Sequence, residues 1–396
     1  MNFPQIAPNV WKLGVIDWDR RLFDSLIPLP DGTSYNAYLI RGSEKTALLD
    51  TVDAAIPEKL LEQLEGEKRI DYVIAHHAEQ DHSGAIPAVL AKYPNAVLVC
   101  SPKCKGMLVD HLCVDEKRIC AMENGATLSL GDKTLEFIHT PWVHWPETIC
   151  TYCKEDRLLF SCDFFGSHLA TSDTYSDDEA GSKARVYEAA KRYYAEIMMP
   201  FRTPIRANIA AVEKHDIAMI APSHGPVHRD PQFIIAAYKD WIAETPKNSV
   251  VLPYISMHGS TRAMVDRLVQ ALIERKITVH RFDLSVTDIG KLAIELVDAA
   301  TIVIGTPTVH VGPHPVVAYA AGLANALRPK VKFASIIGSY GWAGKTVEMV
   351  AAAIPNLKVE VLEPVLCRGY PREKDFAALD RLADAIAGKH RALGLL

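Results

Sequence analysis

The strongest constraint on the fold comes from the C-terminal part of the chain. From about Asn248 onward, five short apolar segments alternate with stretches of helical periodicity: SVVLPYIS, ITVHRFDL, ATIVIGT, KFASIIGS and VEVLEPVL. Continuous apolar runs of this length are typical of strands covered on both faces, and their alternation with helices predicts an open, doubly wound parallel sheet. Such sheets bind ligands beyond the carboxyl ends of their strands, so the residues that follow these segments are candidate site residues.

The first half of the chain has a different pattern. Short β runs separated by turns, with some helical stretches between them, predict a mixed domain of strands and helices: YNAYLI, TALLDT, DYVIAH, AVLVCS, TLEFIH, TICTYC and RLLFSCD. A single core stops growing near ~250–300 residues, so a chain of 396 residues should form two domains. The polar segment ETPKNS, after an amphipathic helix, marks the boundary, and we expect domains over 1–246 and 247–396.

Composition narrows the possible partners. The chain has 43 basic and 48 acidic residues, and no stripe of Lys or Arg could neutralise a phosphate backbone, so nucleic acid is not an expected partner. No apolar run reaches the ~18 residues of a membrane span, and the N-terminus does not resemble a secretory leader, so we expect a cytoplasmic protein without a membrane partner. Eight cysteines are too few for a disulfide framework, and the C-x-x-C of Cys150 and Cys153 falls within a predicted strand, which favours packed thiols.

A group of candidate metal ligands follows the predicted strand DYVIA. It comprises His77, Glu79, Asp81 and His82, and similar side chains recur after other apolar runs at His144, Asp163 and His224. Burying so many polar groups at strand ends is costly unless they share a partner, and a metal centre provides one. Four imidazoles and three carboxylates distribute as two metals with one bridging carboxylate. This donor set favours iron, although zinc stays open. Two further histidines, His76 and His168, are expected either to support the ligands or to lie at the surface.

Three predicted strand-end loops of the C-terminal half indicate a flavin site. The first runs into a predicted helix and offers hydroxyls and backbone N–H groups to a phosphate. The third carries two aromatic side chains that could face a flat ring, and no G-x-G-x-x-G follows a strand, so FMN is preferred over NAD or FAD. The candidate residues are Ser256, Met257, His258, Gly259, Ser260, Thr261, Thr306, Pro307, Thr308, Val309, His310, Ser339, Tyr340, Gly341, Trp342, Ala343 and Gly344.

Together these motifs resemble those of the flavodiiron proteins over essentially the whole chain. The resemblance implies an α/β protein in which a metallo-β-lactamase-like αββα sandwich precedes a flavodoxin-like doubly wound parallel sheet. It also implies two irons that share Asp163, one held by His77, Glu79 and His144 and the other by Asp81, His82 and His224. Tyr193 or Tyr194, in KRYYAEIMMPF, would lie near the metals. The chain departs from the family at His76, where Asn is usual, and in TPTVHV, where the family has a sequence close to S-P-T-x-N-N.

The resemblance further implies reduction of O2 to water, of NO to N2O, or of both. Electrons would pass through FMN from a separate donor, either rubredoxin-like or F420H2. The family also implies a head-to-tail homodimer, or a dimer of such dimers, in which the FMN of one subunit lies beside the irons of the other. Two alternatives remain open: a zinc-dependent hydrolase of the metallo-β-lactamase fold with an appended flavodoxin-like domain, and an electron carrier that uses FMN alone.

Overall fold

A computed structural model describes residues 3–342 and 344–396 of the chain. Contacts between residues divide the chain into two compact units. One is formed by Met1–Tyr193 with Phe201–Ile242, and the other by Tyr194–Pro200 with Ala243–Leu396. The sequence placed the boundary after residue 246, whereas residues 194–200 and 243–246 group with the second unit. Within the described ranges, none of the helices has the length and apolar character needed to cross a lipid bilayer.

The N-terminal unit is built on two sheets and a small hairpin. Its strands are β1 (Gln5–Ala7), β2 (Val10–Asp17), β3 (Leu22–Phe23), β4 (Ile27–Pro28), β5 (Thr33–Arg41), β6 (Thr46–Leu49), β7 (Tyr72–Ile74), β8 (Val97–Cys100), β9 (Ile119–Ala121), β10 (Thr127–Ser129), β11 (Thr134–His139), β12 (Ile149–Cys153), β13 (Leu158–Cys162) and β14 (Met219–Pro222). Its α-helices are α1 (Pro57–Gln63), α2 (Gln80–Ser83), α3 (Ile86–Lys92), α4 (Pro102–Leu112), α5 (Ser182–Tyr193), α6 (Arg202–Val212) and α7 (Pro231–Trp241), and Glu116–Arg118 is a 3-10 turn.

The two sheets pack face to face. The first has the order β1-β2-β5-β6-β7-β8-β9 and the second β10-β11-β12-β13-β14. Alternation along β5 shows how both faces of the first sheet are covered, because successive side chains of a strand point to opposite sides. Tyr35 and Leu39 join the core beneath α1, α3 and α4, whereas Tyr38 and Ile40 pack against residues of the second sheet such as Phe160. Helix α6 covers the outside of the second sheet at β11.

The C-terminal unit has the predicted doubly wound sheet. Its strands are β15 (Lys247–Tyr254), β16 (Thr278–Asp283), β17 (Ala299–Val309), β18 (Gly312–Pro313), β19 (Phe333–Tyr340), β20 (Glu360–Val361) and β21 (Val365–Arg368). Its α-helices are α8 (Ser260–Glu274), α9 (Ile289–Leu296), α10 (Pro315–Leu327), α11 (Thr346–Ala353) and α12 (Glu373–Ala392). A π-helix covers Tyr194–Met198, and 3-10 turns cover Met199–Phe201 and Pro355–Leu357.

Strand order confirms the expected topology. The path β16-β15-β17-β19-β20, with β21 also on β19, consists of parallel pairs and has the 2-1-3-4-5 order of flavodoxin-like sheets. Along β15, Val250 and Leu252 face the core shared with α8 and α12, and Val251 faces the core shared with α9, α10 and α11. One expectation was wrong in detail: residues 306–309 continue β17, which turns into β18, so that segment is mostly strand and not loop.

Candidate metal centre and flavin site

The seven predicted metal ligands converge within the N-terminal unit. His77 and Glu79 follow β7, Asp81 and His82 lie on α2, His144 lies between β11 and β12, Asp163 follows β13, and His224 lies just beyond β14. Their ligand atoms form two groups, and within each group the atoms lie within 4.8 Å of one another: His77, Glu79, His144 and Asp163 in the first, and Asp81, His82 and His224 in the second.

The carboxylate of Asp163 lies between the two groups. Its Oδ2 is 3.3 Å from His77 Nε2 and 3.2 Å from His144 Nε2. Its Oδ1 is 3.0 Å from His82 Nε2 and 3.7 Å from His224 Nε2. One oxygen therefore faces each group, as a carboxylate bridging two metal ions requires.

The centre contains buried polar atoms that ordinary hydrogen bonds do not satisfy. Among the described residues, no donor is aligned with either carboxylate oxygen of Asp81 or with Asp163 Oδ1. Nε2 atoms of His82 and His224 face each other at 3.0 Å. A buried carboxylate oxygen without an aligned donor destabilises the fold by roughly 1–3 kcal/mol, and a bound cation removes that cost. The residues thus fit two divalent metals, and imidazoles with oxygen ligands suit iron better than a thiolate site would.

Electrostatics within the groups favour charged imidazoles when no metal is bound. Burial lowers the pKa of His82, but the carboxylates of Asp81 and Asp163 outweigh it and raise that pKa to about 9. At His144, burial is likewise outweighed by hydrogen bonds to Asp163 and Glu79, and its pKa rises to about 9. The same contacts hold the pKa of Glu79 well below its usual range despite burial. A metal must therefore displace protons from these rings when it binds.

Asp50 supports the segments that carry the ligands, and the sequence reasoning missed it. It lies directly after β6, fully buried, with one carboxylate oxygen 2.6 Å from His76 Nδ1. Its other oxygen accepts the backbone N–H of His76 at 2.9 Å, and Ser223 donates its hydroxyl to the first at 3.1 Å. His76 is thus buried support and not a surface residue. The strand-end signal that selected the ligands also marks Asp50, which follows the run TALL.

Three further contacts hold individual ligands, and sequence reasoning had singled out none of them. Glu147 accepts the backbone N–H of Ala78, between His77 and Glu79, at 3.0 Å. The backbone oxygen of Ser34 lies 2.6 Å from His224 Nδ1. Cys162 Sγ lies 3.3 Å from His77 Nδ1. Their roles depend on long-range contacts, so no local pattern could reveal them.

His168 and Tyr193 lie beside the second group of ligands. The His168 ring centroid is 4.5 Å from that of His224, and its Nδ1 is 2.8 Å from Thr33 Oγ1. The ring of Tyr193 lies 4.6 Å from His168 and 5.7 Å from His224. Burial holds the pKa of His168 well below its usual range, so this ring is neutral. Tyr194 groups with the C-terminal unit.

A cavity of about 590 Å³ opens beside the metal ligands. Glu79 and Asp81 form part of its wall, and the remaining lining residues include Arg20, Phe23, Asp24, Asp53, His111 and Trp145. The ring of Trp145 lies edge-on to His77, at a centroid distance of 6.1 Å. A small ligand in this cavity could therefore reach both groups of metal ligands.

The predicted flavin loops also meet, at the carboxyl ends of strands in the C-terminal unit. A pocket of about 200 Å³ is lined by residues from all three: Ser256, Met257, His258, Ser260, Thr261, Pro307, Thr308, Ser339, Tyr340 and Gly341. The loops contact one another, since Thr261 Oγ1 lies 3.2 Å from Ser339 Oγ. Gly259 has a φ of +87° immediately before α8, and a Cβ there would meet no atom within 4 Å. Backbone N–H groups at this helix start suit a phosphate, and the half-buried Tyr340 offers a face to a flat ring.

Some predicted flavin residues have other positions. Gly259, Thr306, Val309, His310, Trp342 and Gly344 are not among the residues lining the pocket, and Ala343 lies outside the described residues. Thr306 is buried and its hydroxyl accepts the backbone N–H of His314, so it stabilises the turn after β17. Gly369, beyond β21, lines the pocket although sequence reasoning omitted it. It lies three residues after VEVLEPVL, the fifth apolar segment, whose strand end was not considered.

Fold and site together define a β-lactamase-like protein with a centre for two metals, joined to a flavodoxin-like unit. A profile described as "ODP family beta lactamase" matches residues 33–225. The chain is 35% identical over 393 residues to the nitric oxide reductase of Moorella thermoacetica, covering 97% of this chain and 98% of the relative. It is 32% identical to the coenzyme F420H2 oxidase of Methanothermobacter marburgensis, covering 88% and 90%.

Among solved structures, the rubredoxin oxygen:oxidoreductase of Desulfovibrio gigas superposes with a TM-score of 0.94 at 29% identity, over 100% of both chains. The chain belongs to the flavodiiron proteins, also called type A flavoproteins. Membership agrees with the family resemblance of the sequence motifs and with both folds.

Proposed function

We propose that this protein is an oxidoreductase that reduces O2 to water, NO to N2O, or both at a non-haem diiron site. The observation that carries the proposal is the position of Asp163, whose two oxygens face two separate groups of metal ligands. Relatives named nitric oxide reductase and rubredoxin oxygen:oxidoreductase, each matched over nearly their full length, support both substrates.

In this proposal each group of ligands holds one iron. His77, Glu79 and His144 hold the first and Asp81, His82 and His224 the second, with Asp163 shared. Two adjacent irons together with FMN supply the several electrons that O2 or NO reduction needs. Both oxygens of Asp81 and Oδ1 of Asp163 lack an aligned donor, and together with the facing Nε2 atoms they support this assignment.

The protein's own side chains would orient and shield the reaction. Glu79 and Asp81 present the centre to the adjoining cavity, which is wide enough for a diatomic substrate. Packing of His168 and Tyr193 against His224 excludes water on the other side of that ligand. Within the C-terminal unit, the residues of the three loops around Thr261, Thr308 and Tyr340 would hold FMN, with its phosphate at the start of α8.

Electrons would enter from a separate donor. A rubredoxin-like protein is one candidate and F420H2 is the other, in keeping with the names of two relatives. We further propose a head-to-tail homodimer, or a dimer of such dimers, that places FMN of one subunit beside the irons of the other. A monomeric variant should then accept electrons on FMN but turn over poorly, and full activity of a monomer would contradict the dimer.

The decisive experiment is anaerobic purification with iron, zinc and FMN quantified, followed by consumption assays with O2 and with NO. We expect two irons and one FMN per chain and consumption of at least one gas. Zinc alone, with fast hydrolysis of a thioester or phosphodiester, would instead favour a hydrolase of the β-lactamase fold. FMN without iron would favour a simple electron carrier.

A further inference from the structure

Two successive residues contact opposite nitrogens of one metal ligand. Cys162 Sγ lies 3.3 Å from His77 Nδ1, and Asp163 Oδ2 lies 3.3 Å from Nε2 of the same ring. Cys162 and His77 are 1% and 0% exposed, so no solvent competes for either contact. The imidazole is therefore held at both ends by neighbours from a single strand end.

The backbone of β13 explains this arrangement. In a regular strand, Cys162 and Asp163 would point to opposite faces of the sheet. The register against β14 shifts between Phe160 and Cys162, and Cys162 has a φ of 56°. A register irregularity of this kind redirects side chains, so both residues reach His77.

The proton on His77 follows from the geometry. Its Nε2 faces Glu79 and Asp163, where a metal would be held, so with a metal at Nε2 the remaining hydrogen would lie on Nδ1 and would be donated to the sulfur of Cys162. The corresponding nitrogen of His224 instead donates to the backbone oxygen of Ser34, at 2.6 Å. Sulfur is a weak acceptor compared with a carbonyl oxygen. The two imidazoles thus have unequal partners.

The partner of a ligating imidazole adjusts both its orientation and its basicity. A strong acceptor draws the N–H proton, makes the ring a better electron donor and stabilises the more oxidised metal. A weak acceptor leaves the ring a poorer electron donor and stabilises the oxidised metal less. The iron at His77 should therefore be easier to reduce than it would be with an oxygen acceptor in place of the thiol.

We propose that Cys162 is a positioning residue that acts through His77 to fix this ligand and to set the reduction potential of the iron it binds. The inference rests on the proposed diiron function. It concerns a thiol that touches neither substrate nor metal, so its effect must be measured on the metal centre.

The variants C162A and C162S test the inference, with C150A as matched control. Cys150 is equally buried, but its sulfur contacts Thr140 Oγ1 and the backbone oxygen of Ser161, each at 3.5 Å, and none of the metal ligands. Each full-length protein is loaded with iron anaerobically. Iron affinity is measured by chelator competition, and the two one-electron midpoint potentials are followed by EPR.

We expect C162A to bind iron about tenfold more weakly than wild type, the lower end of outer-shell effects. One midpoint potential should rise, and a tenfold change in that one-electron equilibrium corresponds to about 59 mV. C162S has an oxygen acceptor, so its iron affinity should stay within about twofold of wild type, a change smaller than the range typical of outer-shell substitutions. The same midpoint potential should fall below that of wild type. C150A should match wild type in both measurements.

Potentials and affinities of C162A and C162S equal to those of C150A would overturn the inference. If C162A does not fold, the comparison of C162S with wild type decides, and equal potentials again overturn it. A wild-type protein that holds no iron pair would contradict the proposed function instead. The two failures are therefore distinguishable.

Discussion

The carboxylate of Asp50 holds the imidazole of His76 at 2.6 Å, directly before the first metal ligand in the chain. The same oxygen accepts the hydroxyl of Ser223, directly before His224. Three strand ends, those of β6, β7 and β14, are thus joined through one buried carboxylate. The contact shows how residues outside the ligand set determine where ligands lie.

Replacing Asp50 with Asn should weaken this junction. The amide keeps the size of the side chain and tolerates the left-handed φ of 53° at this position, but it cannot accept all three hydrogen bonds. We expect a loss of about 2 kcal/mol in the free energy of unfolding, since a buried donor is left unpaired, and about tenfold weaker iron binding. Chemical denaturation and chelator competition measure the two. D110N, at an exposed aspartate of α4, should change neither.

Removing the shared carboxylate should differ from removing a ligand of one group. D163A takes away the oxygens that face both groups, so we expect almost no bound iron. H144A removes a ligand from the first group alone, and about one iron per chain should remain. Metal analysis after gel filtration, with circular dichroism to verify folding, makes the comparison. Equal iron content in the two variants would argue against Asp163 as the bridge.

We expect FMN binding to require Gly259 for its lack of a side chain, in addition to its left-handed backbone conformation. Its φ of +87° penalises any side chain, and a methyl group there would stand at the start of α8, where we place the phosphate. Gly66 is a matched control because its φ is +86° and its added Cβ would also meet no atom within 4 Å. Both alanine variants should lose about 1 kcal/mol of stability. In fluorescence titrations, only G259A should bind FMN about tenfold more weakly.

The stability of the C-terminal unit should fall in acid because of His390. Its ring is buried, with Nδ1 2.8 Å from Asn248 Oδ1 and Nε2 2.8 Å from Thr301 Oγ1, which suits the neutral form. Burial lowers its pKa to about 4 from the usual 6.5. As the pH falls, His390 therefore takes up a proton in the unfolded chain before it does so in the folded protein. The contribution of the neutral ring to the free energy of unfolding is complete above pH 6.5 and is lost as the pH falls towards 4.

The loss should reach about 2 kcal/mol, somewhat less than the full pKa difference allows. The free energy of unfolding, measured by chemical denaturation across this pH range, should change less with pH for H390Q than for wild type. H280Q is the control, because His280 is partly exposed and paired with Glu295 at 3.2 Å. An unchanged pH dependence in H390Q would show that other groups cause the acid sensitivity.

Local sequence patterns predict much of the fold. The continuous apolar run of β15 predicts a strand covered on both faces, because each of its faces must be buried, and the structure shows one core on either side of it. Conversely, TPTVHV looked like a loop since it is polar, yet Thr306 and Thr308 extend β17 because hydrogen bonds with β18 and the neighbouring strand satisfy them. Short-range polarity cannot distinguish an exposed loop from a paired strand end.

The sequence alone determined which chemical groups this protein brings to its site, since histidines and carboxylates after apolar runs must emerge where strands end. Only the tertiary structure decided which of them face each other and what lies behind them. The two oxygens of Asp163 divide between His77 and His82, and Cys162 stands behind His77, through contacts that span some 80 residues of chain. Such pairings depend on sheet register and on one left-handed residue at the end of β13, and neither has a signature in the neighbouring sequence.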